Sequence, residues 1–591
     1  MAINLPGSHY ARFLLDVPKL APWARFSPGR LLGLQARRRP HDLALAYQDA
    51  RYTWAQLDGE AERYARFFAS EGVGRGDVVA VFMDNRPDYL FAVMGLAKLG
   101  AVAALINTNL VGKALAHAVR VAAAKKIFVG AEHAATIARV IDQLDGIRTE
   151  HDLYIHVDQG AEPDADPSGA IINDRLATAP PLPAGAPACD ALRGSDTFCY
   201  IYTSGTTGLP KAAIIRNQRF LGAAIVFGRL MHRSRPGDVV YVALPLYHGN
   251  GFMLGWGAVL ATGAALALRR RFSVSSFWDD IRAFRATSFM YIGELCRYLL
   301  NAPPAASDRD HRLRVAVGNG LRADIWETFQ RRFGVPVIRE FYGSTEGNVP
   351  ALNVAGKPGM IGRLPRGQAV VRCDAATGTL RRGAAGRCER AAPGEVGLLI
   401  GRISSLASFD GYVDREATQS KILGDVFKDG DRYFNTGDLV QVHPGRWLSF
   451  ADRLGDTFRW KGENVSTSEV SEILCGAPGV LEANVYGVSI PGADGRGGMA
   501  ALSVSDDFDL ERFGAHARAH LAVYQRPLFL RVLGENMRVT ATLKQQKVDY
   551  RDEGYDPARI DDHLYVLDGG SYRDLDAQRY ERIVSGAAVP G

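Results

Sequence analysis

The sequence predicts an α/β protein: a large N-terminal region of alternating strands and helices, a β-rich stretch, and a small α+β region at the C-terminal end. Three observations carry this. Apolar runs of strand length alternate with helical segments from Tyr52 to about Ile338, the pattern of βαβ units and a largely parallel sheet. Residues 355–403 hold short strand signals broken by many glycines. From about Asp456 the elements shorten and the composition changes.

In chain order, Arg37-Arg38-Arg39-Pro40 reads as a solvated face near a helix end, and Tyr52 opens a long amphipathic helix ending near Gly72. Val78 to Met83 is a buried strand, Tyr89 to Leu99 a helix, Val102 to Ile106 a strand, and Lys126 to Val129 another. Residues 160–195 are rich in Pro, Ala, Gly and Asp and read as a linker or surface loop. Alternation then resumes with strands at Phe198–Tyr202, Val239–Leu244, Ala264–Leu268, Phe289–Ile292, Val315–Val317 and Val335–Ile338. Two stretches imitate membrane spans, Tyr89 to Ile106 and Gly251 to Leu268. The second meets the length criterion, but its four glycines and polar flanks favour a buried helix running into a core strand. No span is predicted.

Bulk properties exclude several classes. The 591 residues are 47% hydrophobic and 23% charged, an ordinary globular composition. The net charge of +6, from 70 basic and 64 acidic residues, is too small to argue for nucleic acid as a partner. The six cysteines form no C-x-x-C pair or Cys/His cluster, so neither zinc nor a disulfide framework is expected, and a cytoplasmic setting is favoured. The N-terminus lacks the basic and apolar regions of a signal peptide.

The chemistry gathers in six polar stretches. Tyr200 to Lys211 is a strand emptying into Thr203-Ser204-Gly205-Thr206-Thr207-Gly208, then Leu-Pro-Lys211. Such a loop converges N–H and hydroxyl donors on an anion and adds a cation. It does not fit G-x-x-x-x-G-K-[ST], since Pro210 precedes Lys211 and Ala212 follows it. Leu244 to Gly251 presents His248 between glycines and polar residues; a lone histidine is as readily structural. Phe252 beyond it either walls an apolar tunnel or packs in the core. Gly318-Asn319-Gly320 precedes Tyr342-Gly-Ser-Thr345-Glu346. There Tyr342 can stack on a purine, Thr345 can bind phosphate, and Glu346 offers the hard oxygen that Mg²⁺ needs. Asp438, in Asn-Thr-Gly-Asp, offers two acceptors to a ribose diol. Asp452 to Val465 is dense in charge around Gly455, a glycine able to absorb a hinge rotation. Thr540 to Lys547 presents Lys544 and Lys547 from a hydroxyl-rich loop. Each stretch alone admits an ordinary reading as a turn or solvated surface; their weight comes from company.

These motifs in this order resemble the adenylate-forming superfamily, and within it the fatty acid transport protein or very-long-chain acyl-CoA synthetase branch. The details are Ile106-Asn-Thr-Asn-Leu110, Tyr291 to Leu300, Phe341 to Asn348, Asp452 to Val465, and the tail segments Lys544–Lys547, Glu553–Pro557 and Leu564–Asp568. The resemblance implies layered α/β subdomains over residues 1–454, with 355–454 β-rich, and a mobile domain over 455–591. It implies an ATP-dependent long- or very-long-chain fatty acid–CoA ligase, forming acyl-AMP and pyrophosphate and then acyl-CoA and AMP. Thr203, Ser204, Gly205, Thr206, Thr207, Gly208 and Lys211 would hold the triphosphate, and Gly318, Asn319, Gly320 and Tyr342 would line adenine. Asp438 and Arg453 would bind ribose. The implied catalytic group is Lys544, Glu346 (also the Mg²⁺ ligand), Thr345 and His248, and the Gly462-Glu-Asn464 region would serve the CoA step. ATP, Mg²⁺, CoA and a fatty acid are the implied cofactors and partners. Departures are Gly455, where many relatives carry a charge, and Ala541, where this branch often has glycine. Ligation of a sterol side-chain or bile acid, and fatty acid uptake or binding, stand as alternatives. Any membrane contact is expected to be peripheral, at the inner face, with Arg269-Arg270-Arg271-Phe272 as the candidate.

Overall fold

The computed structural model describes residues 7–158, 169–182, 189–204, 209–375, 377–404, 407–461, 463–491, 493, 495–534, 537–538, 547–587 and 590. The chain divides into two compact units. One comprises Met1–Asn348, Asn353–Pro358 and Ser408–Lys421; the other comprises Val349–Leu352, Gly359–Ala407 and Ile422–Gly591.

The first unit is α/β, as its alternation predicts. One sheet runs Ala170–Ile171, Leu153–His156, Lys126–Gly130, Val78–Phe82, Val102–Leu105, Thr197–Ser204, Pro210–Arg216, parallel except for the last, hairpin-linked pair. The other runs Ile338–Tyr342, Val315–Asn319, Ser288–Ile292, Val239–Val242, Ala265–Leu268, Leu43–Tyr47, Ala50–Thr53, and is again parallel up to its terminal hairpin. Strand residues buried on both faces explain the continuous apolar runs in the sequence.

Local signals set the helices. Thr53 and Gln56 form a reciprocal capping box that starts the helix Trp54–Ser70. The helix Pro87–Leu99 begins on proline, ends on Gly100 in the left-handed region, and is buried on nearly every side. That all-round burial is why Tyr89 to Ile106 imitates a membrane span. Gly251 to Leu268 is the expected buried helix, wound as π-helix over Asn250–Trp256 and α-helix over Gly257–Thr262, running into the strand Ala265–Leu268. Among the described residues no helix is long and apolar enough to cross a membrane.

Two expectations need correction. The segment 160–195 is not all linker: Ala170–Ile171 adds an edge strand, and Asn173–Ala177 is helical, held by buried Ile172 and Leu176. Asn173 clasps Val157 through both its N–H and its carbonyl. The strand expected at Val335–Ile338 begins only at Ile338 and runs to Tyr342; Pro336, lacking an N–H, sits outside the ladder. In the basic run, Arg269 pairs with Asp280, Arg270 with Asp158 and Arg271, its side chain still largely exposed, with Asp84.

The second unit holds the antiparallel order Gln368–Val371, Val396–Arg402, Arg432–His443, Trp447–Arg453, Gly362–Arg363. It also holds a five-stranded sheet of Val480–Val488, Gly497–Val504, Phe529–Val532, His563–Asp568 and Ser571–Asp574 with helices alongside. Two separate apolar clusters flank Gly455 along the chain: one is built from Ala369 to Leu439 with Leu454 packed against it, the other from Phe458 to Ile583.

Candidate active site

The donor-rich stretch is flanked by the antiparallel strands Thr197–Ser204 and Pro210–Arg216. Thr203 lies opposite Lys211, and Ser204 opposite Pro210. Gly205, Thr206, Thr207 and Gly208 fall outside the described residues, as does the side chain of Ser204. Lys211 Nζ stands 5.9 Å from the centre of the Tyr412 ring, a cation over a π face. Tyr412 arrives from a separate stretch, which adds main-chain hydrogen bonds to the hairpin's outer edge through Ile214 N–H to Gly411 O and Val413 N–H to Ala212 O.

Tyr412 joins two predicted residues. Its phenol lies within hydrogen-bonding reach of the Glu346 carboxylate and the Thr203 hydroxyl. Burial, reinforced by the Glu346 charge, holds the phenol protonated far above its ordinary range. Arg219, on the helix Asn217–Val226, fixes the backbone beneath Glu346. Its Nη2 donates to the carbonyls of Ser344, Thr345 and Gly347, and Gly347 N–H donates to Ser344 Oγ at 3.1 Å. Burial lowers the Arg219 pKa, opposed by the charges of Asp410 and Glu346. One guanidinium thus orders the turn that presents Thr345 and Glu346.

The His248 turn reaches the same place. Asn85 is buried and holds the approach to it, donating to Leu244 O (2.9 Å) and Arg269 O (3.0 Å) and accepting from Leu246 N–H (2.7 Å). Asn109 donates to the Tyr247 hydroxyl at 3.1 Å, which gives the Ile106–Leu110 motif a structural purpose. A Cβ on Gly251 would lie 2.4 Å from Pro245 O, so no side chain fits there. Gly249 faces Thr345 Oγ1, and Asn250 donates to Asn319 at 2.8 Å. His248 is half-buried beside them. Phe252 is fully buried, with ring centres 5.7 Å from Phe198 and 5.3 Å from Phe220.

Gly318 and Asn319 end the strand Val315–Asn319, with Gly320 just beyond it, next to the strand that ends in Tyr342. A Cβ on Gly318 would meet Tyr291 O at 2.3 Å, and Gly320 has φ +82°; both positions demand glycine. Below them lies Glu340, fully enclosed. Its Oε1 accepts from Leu321 N–H (2.7 Å) and the Tyr291 hydroxyl (3.0 Å). Burial pushes its carboxyl up to about 8, against the donations from Leu321, Tyr291 and Gly320. The native state therefore keeps a proton that the unfolded chain releases near the ordinary value of 4.5. This stabilisation is complete below that value and is lost as pH rises through the folded pKa. Glu340→Gln is expected to flatten the decline in unfolding free energy between about pH 5 and about pH 8, measured by denaturant titration across that window.

In the second unit Asp438 and Arg453 lie in register on adjacent strands, with Arg453 Nε 3.5 Å from Asp438 Oδ1. Arg453 is the more exposed of the two. Buried Asp452 accepts from Thr467 N–H (2.7 Å) and from the hydroxyls of Thr467 and Thr457. It thereby fastens the start of the helix Thr467–Cys475 across Gly455, whose φ is +92°. Lys547 donates to the Thr467 hydroxyl at 2.5 Å and stands 3.8 Å from Asp456. Lys544 and Gly462 lie outside the described residues.

The structure thus gathers Thr203, Lys211, Glu346, Thr345, the His248 turn and Asn319 in one unit, and pairs Asp438 with Arg453 in the other. Sequence reading missed Tyr412, Arg219, Asn85 and the anchoring by Asp452. Of these, only Asp452 stood inside a stretch already singled out. The first unit's cluster offers a cation, hydroxyls and a buried carboxylate, a donor set suited to a phosphate chain with a hard divalent cation.

Comparison with known proteins points the same way. The AMP-binding enzyme family matches residues 33–400. The medium/long-chain-fatty-acid–CoA ligase FadD6 of Mycobacterium tuberculosis is 40% identical over 554 residues, 93% of this chain and 89% of its own. The long-chain fatty acid transport protein 1 of Mus musculus is 42% identical over 566 residues, 93% of this chain and 86% of its own. Among solved structures, an anthranilate CoA ligase, AuaEII, in complex with anthranoyl-AMP matches with a TM-score of 0.74 at 22% identity, covering 89% of this chain and 96% of that one. That last likeness is one of fold.

Proposed function

The chain belongs to the AMP-binding enzyme family, and from that premise we propose that it is an AMP-forming long- or very-long-chain fatty acid–CoA ligase. The acid's carboxylate attacks the α-phosphate of ATP, giving acyl-AMP and pyrophosphate; the CoA thiol then displaces AMP and forms the thioester. The observation that carries the reading is the Thr203–Tyr412–Glu346 linkage beside Lys211, within a chain whose full-length relatives are named as fatty-acid ligases and transport proteins.

The residues divide the work. Thr203, Ser204, Gly205, Thr206, Thr207, Gly208 and Lys211 grip the triphosphate and stabilise the departing pyrophosphate. Gly318, Asn319 and Gly320 give adenine a flat edge, and Tyr342 stacks on it. Asp438 accepts from the ribose hydroxyls, with Arg453 holding its carboxylate in place. Thr345 donates to the α-phosphate, and His248 borders the incoming carboxylate. Glu346 would hold Mg²⁺, which supplies neutralising charge to the phosphates when bound. Lys544 brings positive charge to the carboxylate and phosphate as the bond forms. The separation of apolar clusters around Gly455 supports an N-terminal catalytic domain over 1–454 and a mobile domain over 455–591, with the Gly462–Asn464 region serving the CoA step.

The test is a panel of carboxylic acids incubated with ATP, Mg²⁺ and CoA, with thioesters read by mass spectrometry and pyrophosphate release followed. Thioesters of long-chain fatty acids are expected, with AMP and pyrophosphate in equal amounts. Preference for a sterol or bile acid would move the substrate assignment, and no thioester with any acid would end it.

A further inference from the structure

Three residues in register shape the turn that follows the strand Val315–Asn319. Tyr291, Gly318 and Glu340 stand side by side on adjacent parallel strands, so their side-chain positions share one face of the sheet. Gly318 places nothing there. A Cβ on it would lie 2.5 Å from Tyr291 Cδ2 and 2.6 Å from Cγ, so the ring lies across the glycine. Over that gap the Tyr291 hydroxyl donates to Glu340 Oε1 at 3.0 Å.

The same carboxyl fixes the backbone of the turn. Leu321 N–H donates to Oε1 at 2.7 Å, and Gly320 N–H also donates to the carboxyl. One side chain thus holds two consecutive amides. Asn250 Nδ2 adds a second hold, donating to Asn319 Oδ1 at 2.8 Å. A Cβ on Gly293 would fall 1.7 Å from Gly320 O, so main chain backs directly on main chain there. Gly320 is exposed, whereas Glu340 is 3% exposed. The turn is gripped on its inner side and open on its outer side.

Among the described residues, the groups acting on the carboxyl are these two amides and the Tyr291 hydroxyl, with no cation beside them. Cys296, on the helix Gly293–Asn301, feels the charges of both Glu340 and Glu294. Burial holds the Cys296 thiol and the Tyr291 phenol protonated. A carboxyl enclosed without a counter-charge resists ionisation, and burial pushes this one up to about 8. A purine laid on the open side of the turn removes water and favours the neutral form further.

We propose that Glu340 is a positioning residue for nucleotide binding: with Tyr291 it sets the amides of Gly320 and Leu321, and so the outline of the edge that a purine base meets. This rests on the reading of Gly318–Gly320 and Tyr342 as the adenine subsite. It adds that base selectivity is set from the inner side of the turn, by a group that does not touch the nucleotide. Ionising the carboxyl opposes binding, so ATP affinity is expected to fall as pH rises through about 8.

The test is equilibrium binding of ATP, GTP and tripolyphosphate to the full chain between about pH 6.5 and about pH 9, with thermal unfolding recorded for each variant. Glu340→Ala should weaken ATP about tenfold and shrink the preference for ATP over GTP. Tripolyphosphate, which has no base, should bind as it does to the parent. Glu340→Gln keeps a neutral acceptor. It should retain the parent's ATP affinity near neutral pH and lose the decline, relative to tripolyphosphate, that the parent shows above about pH 8. Tyr291→Phe removes one donor without a large cavity and should weaken ATP by roughly three-fold or more; it stands in for Glu340→Ala if that variant does not fold. A merely structural role would weaken ATP and tripolyphosphate together as the unfolding temperature drops, and that result would overturn the proposal. So would a Gln variant as weak as the Ala variant, or a parent affinity flat across the pH range. Tyr342→Ala tests the subsite itself. If it weakens ATP while Glu340→Ala and Tyr291→Phe bind as the parent does, the inference alone fails. If all three bind ATP as the parent does, the base lies elsewhere and the adenine reading fails with it.

Discussion

Lys544→Ala is expected to abolish acyl-adenylate formation, lowering its rate by ~10²–10³ or more, while ATP binding stays within a few-fold of the parent. The reasoning is electrostatic. Two anions, a carboxylate and a phosphate, must approach as the new bond forms, and a cation placed where they meet gains strength in the transition state over the ground state. The neighbouring Lys547 is the natural control. Its ammonium is held by the Thr467 hydroxyl, which itself donates to Asp452, and Asp456 lies close by. Lys547→Ala should therefore cost about 1 kcal/mol of local stability and leave adenylation within about tenfold. Pyrophosphate exchange and single-turnover trapping of acyl-AMP separate the two. Full adenylation by the Lys544 variant, or its loss only in the Lys547 variant, would overturn the assignment.

The α/β alternation was legible because it rests on short-range pattern: strands buried on both faces must be apolar, and the helix Trp54–Ser70 announces itself by its cap. The strand at Ile338–Tyr342 was misplaced because Val335-Pro-Val reads as apolar while the proline cannot enter the ladder. The small strand and helix at 170–177 hid in a Pro/Ala-rich stretch, since their stability comes from packing Ile172 and Leu176 and from the Asn173 clasp. Those contacts are tertiary and leave no periodic trace.

Site residues show the same division. Thr203, Lys211, Thr345 and Glu346 stand in dense polar motifs and were readable. Arg219 and Asn85 act on main-chain carbonyls and amides brought near by the fold, and nothing beside either marks it. Tyr412 lies some 200 positions from the hairpin it borders, in a stretch whose only local signal is an ordinary Gly-Tyr pair. Residues that touch substrate tend to cluster in sequence; those that hold them are scattered.

Tyr412 and Glu346 together give the second large effect. Glu346→Gln keeps the side-chain shape and removes the charge, so a hard divalent cation loses its carboxylate while the Tyr412 phenol keeps a carbonyl acceptor. Adenylation is expected to fall ~10²–10³-fold at ordinary Mg²⁺ concentrations, with partial recovery as Mg²⁺ is raised. Tyr412→Phe leaves the carboxylate but removes the hydroxyl within reach of it and of Thr203. A hydrogen bond to a charged group contributes roughly 1.5–3 kcal/mol, so the Mg²⁺ concentration for half-maximal rate should rise about tenfold or more. KM for the fatty acid should stay put, because Tyr412 touches the Glu346–Thr203 side of the cluster and Lys211 rather than the acid. That split is the diagnostic: a merely structural tyrosine would lower stability and every kinetic constant together. An unchanged Mg²⁺ dependence in Glu346→Gln would remove Glu346 as the metal ligand. An unchanged dependence in Tyr412→Phe would leave Arg219, through the carbonyls it holds, as the group that sets the carboxylate's position.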